Sequence, residues 1–251
     1  MVRSGSTWQY NVTADLLERS GRATRVGFMG SESDLRHWIS EDPSGVVKLH
    51  RPFRAAVSDV LAGRARVIYI HRDLRDVAAS LMQYHGSDLR QVLSSGELER
   101  SWRDHNEWTQ KSDILVQRYE DMVVDSFAAV RQIAVFLELD VERGTALSIA
   151  SSNSLHRRRR ELESSHSVLD PVLSRARRFT GGLLRRAVGR EATTRLARHF
   201  GHLGGRGIDP HTLLHANHIA HGGVGSYRDA MSDCDQKELE RAVAAIVGSA
   251  G

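Results

Sequence analysis

In the stretch V-V-K-L-H, Lys48 and His50 stand two positions apart: a fixed-site cation beside the side chain that exchanges protons near neutral pH. The stretch reads as a strand end, where alternation puts both side chains on one face. Such a pair suits a reaction in which a nucleophile loses its proton while negative charge builds on the group it attacks. The opening M-V-R-S-G-S-T-W offers an anion site. A helix pattern starts here, and a helix N-terminus presents free N–H groups and a positive dipole end. Gly5 lets the backbone approach a bulky anion, Ser6 and Thr7 add hydroxyl donors, and Arg3 adds a permanent charge. The ATP/GTP loop G-x-x-x-x-G-K-[ST] is not matched, because its first glycine and its lysine are both missing.

Two further stretches have the same layout. V-I-Y-I-H-R-D-L-R-D-V-A-A-S-L is an apolar strand running into a helix, with Arg72 at the junction and Ser80 two turns along. V-Q-R-Y-E-D-M puts Tyr119, Glu120 and Asp121 just beyond another strand. The elements that must position these groups follow from periodicity. Strands are expected over 23–29, 45–49, 65–70 and 113–118, and helices over 6–20, 53–62, 73–84, 97–111, 125–138 and 235–247. Val77, Leu81 and Tyr84 share one helix face, and Asp125 stands as an N-cap. Alternating strand and helix implies an α/β fold, a three-layer sandwich around a central parallel sheet. In such sheets ligands gather at the carboxyl ends of the strands, where all four stretches lie.

Four motifs in this order resemble the sulfotransferases that use 3′-phosphoadenosine 5′-phosphosulfate (PAPS). R-S-G-S-T-W is similar to their P-loop-like 5′-phosphosulfate loop, K-L-H to the K-x-H segment with the general base, R-D-L-R-D-V-A-A-S to the 3′-phosphate motif, and R-Y-E-D-M to Y-E-D-[LM]. The agreement runs from residue 3 to about 139 and returns weakly near 215–232. The resemblance implies that Arg3, Ser4, Gly5, Ser6, Thr7 and Trp8 surround the 5′-phosphosulfate, with Trp8 also flanking the adenine. It implies that Arg72 and Ser80 take the 3′-phosphate, that Tyr119 meets the adenine, and that backbone around His221 and Gly222 serves the nucleotide. His50 would be the general base, with Lys48 and Arg3 steadying charge on the transferred group and the leaving phosphate. PAP would be the product, and no metal is implied.

The sequence departs from that pattern at three places. The family has a strand, usually ending in proline, ahead of the loop; here only Met1 and Val2 precede it, so a first strand is expected to be missing. Where the family commonly reads R-K-G-x-x-G-x-W, this sequence reads A-H-G-G-V-G-S-Y over Ala220–Tyr227, without the arginine. Residues 154–206 form an arginine-rich helical insertion or lid within what is otherwise a single domain over 1–251. That segment could cover the active site or touch an anionic surface; aromatic interleaving and DNA-binding motifs are lacking, so nucleic acid is not an expected partner.

The rival readings are weaker or remain open. H-R-D-L-R-D mimics a kinase catalytic loop, but Ala78 stands where its asparagine belongs and no D-F-G follows. His211, His215, His218 and His221 crowd together, yet no carboxylate or cysteine nearby completes a metal shell. Trp102, Trp108, Leu98 and His105 read as core, or as an acceptor-pocket wall. The non-catalytic alternative is a degenerate relative that binds PAP or an anionic partner. The 251 residues carry 35 Lys and Arg against 31 Asp and Glu, one cysteine, no apolar run of membrane-spanning length and no signal-peptide pattern at the start. A cytoplasmic enzyme with a small-molecule or lipid-like acceptor is the expectation.

Overall fold

The structure is a computed structural model, and it describes residues 1–41, 44–154, 157, 212–213 and 223–249. The chain forms two compact units, Met1–Ser154 with His221–Gly251, and Leu155–Ala220. Every element named below belongs to the first. In chain order they are α1 (Ser6–Arg19), β1 (Thr24–Phe28), α2 (Glu32–Glu41), β2 (Gly45–Lys48), α3 (Arg54–Leu61), β3 (Val67–His71), α4 (Leu74–His85), α5 (Leu89–Ser94), α6 (Glu97–Thr109), β4 (Ile114–Arg118), α7 (Tyr119–Val124), α8 (Ser126–Phe136) and α9 (Arg143–Ser152), then α10 (Tyr227–Ala230) and α11 (Asp233–Gly248).

The α/β expectation holds. Among the described residues the four strands are all parallel but pair two by two: β1 with β2, and β3 with β4 from Val67↔Ile114 to His71↔Arg118. Helix α1 touches both pairs. Its residues Thr7 to Ala14 are buried without interruption, as befits a helix enclosed on every side rather than laid on a surface. Enclosure forces its polar side chains to find partners. Gln9 Nε2 donates to Gln117 Oε1 at 3.0 Å, and Asn11 Nδ2 donates to Thr7 O at 2.9 Å. Asn11 Oδ1 accepts from Arg25 Nη1 at 2.8 Å, and Arg25 is also paired with Asp15 and Glu18.

Side-chain caps set several of the other helices. Asp73 accepts from the Arg75 N–H at the head of α4, and Gly86 ends that helix in the left-handed region (φ 64°). Asp125 caps α8 through the Ala128 N–H, as its place in the sequence predicts. Val77 and Leu81 of α4 pack in the core with Leu98 and Trp108 of α6 and Leu239 of α11. Helices α2, α5, α7, α9 and α10 were not expected from periodicity. They are short, and α7 follows β4 with no linker at all. The 154–206 segment, apart from Ser154 and Arg157, lies outside the described residues, as do His211, His215 and His218.

Candidate functional site

The loop ahead of α1 is built around two unusual backbone positions. Gly5, the N-cap of α1, sits at φ 88°, and Arg3 sits at φ 56°, a conformation that costs a side-chain-bearing residue energy. Packing explains the glycine twice over. A Cβ there would stand 2.8 Å from the Tyr119 ring and 3.3 Å from Met122 Cε. The loop is anchored from beneath by Ser4, which is fully buried; its hydroxyl lies 2.6 Å from Met1 O and 3.0 Å from Ile70 O, at the end of β3. Ser6 and Thr7 open α1, and Trp8 is buried in the body of the helix.

Side chains from three strand ends converge on this loop. Lys48, last residue of β2 and 6% exposed, donates to Thr7 Oγ1 at 2.6 Å. Its pKa is pushed down to about 7, first by burial and then by the Arg3 charge. Arg3 donates through Nε to Ser80 Oγ at 2.9 Å and lies over the Tyr84 ring at 4.7 Å. His50 is half-buried, with its ring 4.9 Å from that of Phe28 and its Nδ1 buried without a hydrogen-bond partner. Burial, followed by the Lys48, Met1 ammonium and Arg3 charges, lowers the His50 pKa to about 3. The imidazole is therefore neutral, as a proton acceptor must be.

The other half of the site is built on β3 and β4. Arg72, 4% exposed, lies 4.4 Å over the Tyr119 ring, and its Nη2 donates to Gly223 O at 2.7 Å. Its Nε is buried with no partner. Tyr119 thus touches Gly5 on one side and Arg72 on the other, which joins the opening loop to the β3–α4 junction. Arg3 and Ser80 make a second such join. Arg3, Lys48, His50 and Arg72 with Ser80 and Tyr119 are brought together by these contacts. His221 and Gly222 lie outside the described residues, while Gly223–Tyr227 immediately beyond them runs against Arg72 and Asp76.

Sequence reasoning left several participants without a role. Asp76 sits inside R-D-L-R-D but was given no partner, though its buried carboxylate accepts from the Gly225 and Tyr227 N–H groups at 2.8 and 3.1 Å. Phe28 beside His50 and Tyr84 beneath Arg3 have no local signature. Of the aromatic set, Leu98 and Trp108 are core, whereas Trp102 is half-buried and stacks on His105 at 4.9 Å.

A buried cluster of cations with an unpartnered guanidinium N–H and a glycine-capped helix start is a site for a strongly anionic group. The comparisons with known proteins agree. The Sulfotransferase domain family (Sulfotransfer_1) matches residues 2–170. The chain belongs to the sulfotransferase family. Mouse sulfotransferase 4A1 is 30% identical over 121 residues, which cover 41% of this chain and 42% of that protein. Rat sulfotransferase 1 family member D1 is 25% identical over 169 residues, covering 55% and 57%. The matches thus span between two fifths and three fifths of these relatives' lengths.

Solved sulfotransferase-fold structures align along 98% of the chain. Retinol dehydratase, in complex with androsterone and the inactive cofactor PAP, has a TM-score of 0.63 at 15% identity and is covered over 78% of its length. Mouse sulfotransferase SULT7A1 complexed with PAP has a TM-score of 0.61 at 16% identity, with 81% covered. At these identities the likeness is one of fold. Among the described residues no helix is long and apolar enough to cross a membrane, and no group of three or more His, Cys, Asp or Glu side chains could hold a metal ion.

Proposed function

We propose that this sulfotransferase-family chain moves a sulfuryl group from PAPS to a hydroxyl or amine of a small-molecule or lipid-like acceptor. The observation that carries this is the convergence of Arg3, Lys48 and a neutral His50 on the Gly5 loop. The residues present fit the donor: two anionic ends call for cations from more than one motif, and Lys48 on Thr7 at the end of β2 and Arg72 beyond the end of β3 supply them. PAP in the neighbouring structures, and androsterone and retinol in two of them, support the donor and an acceptor of small-molecule kind.

In-line sulfuryl transfer demands positioning and charge stabilisation more than covalent help. The Gly5–Thr7 N–H groups and Thr7 Oγ1 would hold the 5′-phosphosulfate, and Trp8 would back the loop. Ser4 and Ser6 belong to the same turn, with Ser4 tying it to β3. Lys48 and Arg3 oppose the negative charge that grows on the bridging oxygen. His50 accepts the proton that the acceptor sheds as its oxygen or nitrogen attacks sulfur, a contribution of roughly 10²–10⁴-fold. Arg72 and Ser80 would take the 3′-phosphate, with Tyr119 against the adenine and the chain around His221 and Gly222 nearby. No metal is required.

The test is transfer of labelled sulfuryl from PAPS across a panel of alcohols, phenols and amines. Turnover that is lost in His50→Ala, while PAP still raises Tm, is the expected result. Folded wild-type protein that binds PAP but transfers to no acceptor would overturn catalysis and leave a non-catalytic PAP binder.

A further inference from the structure

Asp76 is 1% exposed, and a carboxylate so placed is costly unless its oxygens are fully bonded. All of its bonds run to one short segment far away in sequence. Oδ2 accepts from the Gly225 N–H at 2.8 Å, while Oδ1 accepts from the Tyr227 N–H at 3.1 Å and the Ser226 hydroxyl at 3.2 Å. The same carboxylate lies 3.6 Å from Arg72 Nη2, which in turn donates to Gly223 O at 2.7 Å. Arg72 is thereby fixed along one edge by Asp76 and Gly223 and on one face by the Tyr119 ring. Its Nε–H alone is left buried and unpartnered.

We propose that Asp76 is a positioning residue for the donor's 3′-phosphate, locking segment Gly223–Tyr227 and the Arg72 guanidinium into one cradle. The inference rests on the donor reading above, because it concerns how Arg72 is presented to that donor. A guanidinium held along one edge and on one face loses little freedom when a phosphate arrives, so the cost of ordering it falls on folding instead of on binding. A neutral amide in place of the carboxylate would turn an NH₂ group toward either the Gly225 or the Tyr227 N–H, donor against donor, and would release the segment.

The experiment compares PAP with adenosine 5′-phosphate, which lacks the 3′-phosphate, by calorimetry at a temperature where all variants are folded. Wild type, Asp76→Asn, Asp76→Ala and Ser226→Ala are titrated with both. Asp76→Asn is expected to weaken PAP tenfold or more and adenosine 5′-phosphate by less than twofold, with Asp76→Ala larger still in the same sense. A variant with lowered Tm but unchanged PAP affinity overturns the proposal and makes Asp76 a fold latch only. Equal weakening of both nucleotides overturns it too. Should neither Asp76 variant fold, Ser226→Ala decides: a two- to fivefold loss for PAP alone supports the cradle, and no loss overturns it. Wild type that binds neither nucleotide is a different failure, that of the donor reading itself.

Discussion

At the scale of single residues, the site is defined by charges held where water cannot reach them well. Lys48, with its pKa pushed down to about 7, is only about half ammonium at neutral pH in the free protein. A donor anion beside it favours the charged form, so binding above pH 7 must draw a proton from solvent. Calorimetry of PAP binding at pH 8 in two buffers of different ionisation enthalpy is expected to show uptake approaching one proton. Affinity should fall as pH rises from 7 to 9, and Lys48→Met should erase both effects. Uptake unchanged in Lys48→Met would assign the proton elsewhere. The types and order of Arg3, Lys48, His50, Arg72 and Ser80 were legible in the sequence, since each belongs to a short motif with its own chemistry. Their mutual contacts were not. That Ser80 accepts from Arg3, or that Asp76 faces Gly225, depends on packing between segments some 77 and 149 residues apart, for which local spacing carries no signal.

At the scale of elements, α1 and the loop before it decide how firmly the site is held. Gly5→Ala should cost about 1–2 kcal/mol for the left-handed backbone alone, with more from the contact with Tyr119. Urea denaturation should show the loss, and PAP affinity should fall with it because Tyr119 must move. A second prediction concerns Gln117 on β4, which accepts from Gln9 and donates to Ala129 O and Gln132 Oε1 at 3.0 Å. Gln117→Leu leaves the buried Gln9 amide without its partner, a loss of about 1–3 kcal/mol. A stability change below half a kcal/mol would show that the neighbours re-pair. The four strands and six principal helices were readable from their apolar periods, with Asp125 marking the start of α8. Helix α2 escaped although Leu35, Trp38 and Ile39 recur at helical spacing and pack at the core, because that stripe is little more than one turn long. Helix α7 escaped because a strand turns into a helix at Arg118 without a break.

At the scale of the whole molecule, the protein buries histidines that must stay neutral. Burial lowers the pKa of His105 to about 4, with the nearby His71 and Met1 charges adding to it, and the His50 pKa lies at about 3. An unfolded chain protonates these rings near pH 6.5, while the native state resists until about pH 4 for His105 and about pH 3 for His50. The unfolded state therefore binds more protons across that window, and stability should fall steadily as pH drops from about 6.5 toward 4. Thermal melts from pH 7 to pH 5 check this; His105→Gln should show a shallower decline, and an equal slope would shift the cause to other groups. The class of fold was visible from the alternation of elements, whereas the division of the strands into two pairs was not, because pairing is a relation between distant segments. That division has a mechanical consequence. Among the described residues, the pairs are tied through the first turn of the chain, where Thr7 holds the end of β2 and Ser4 holds the end of β3. An occupant of that turn acts as a rivet across a seam, so amide exchange at the tips of both pairs should slow together when PAP is added, by one common factor.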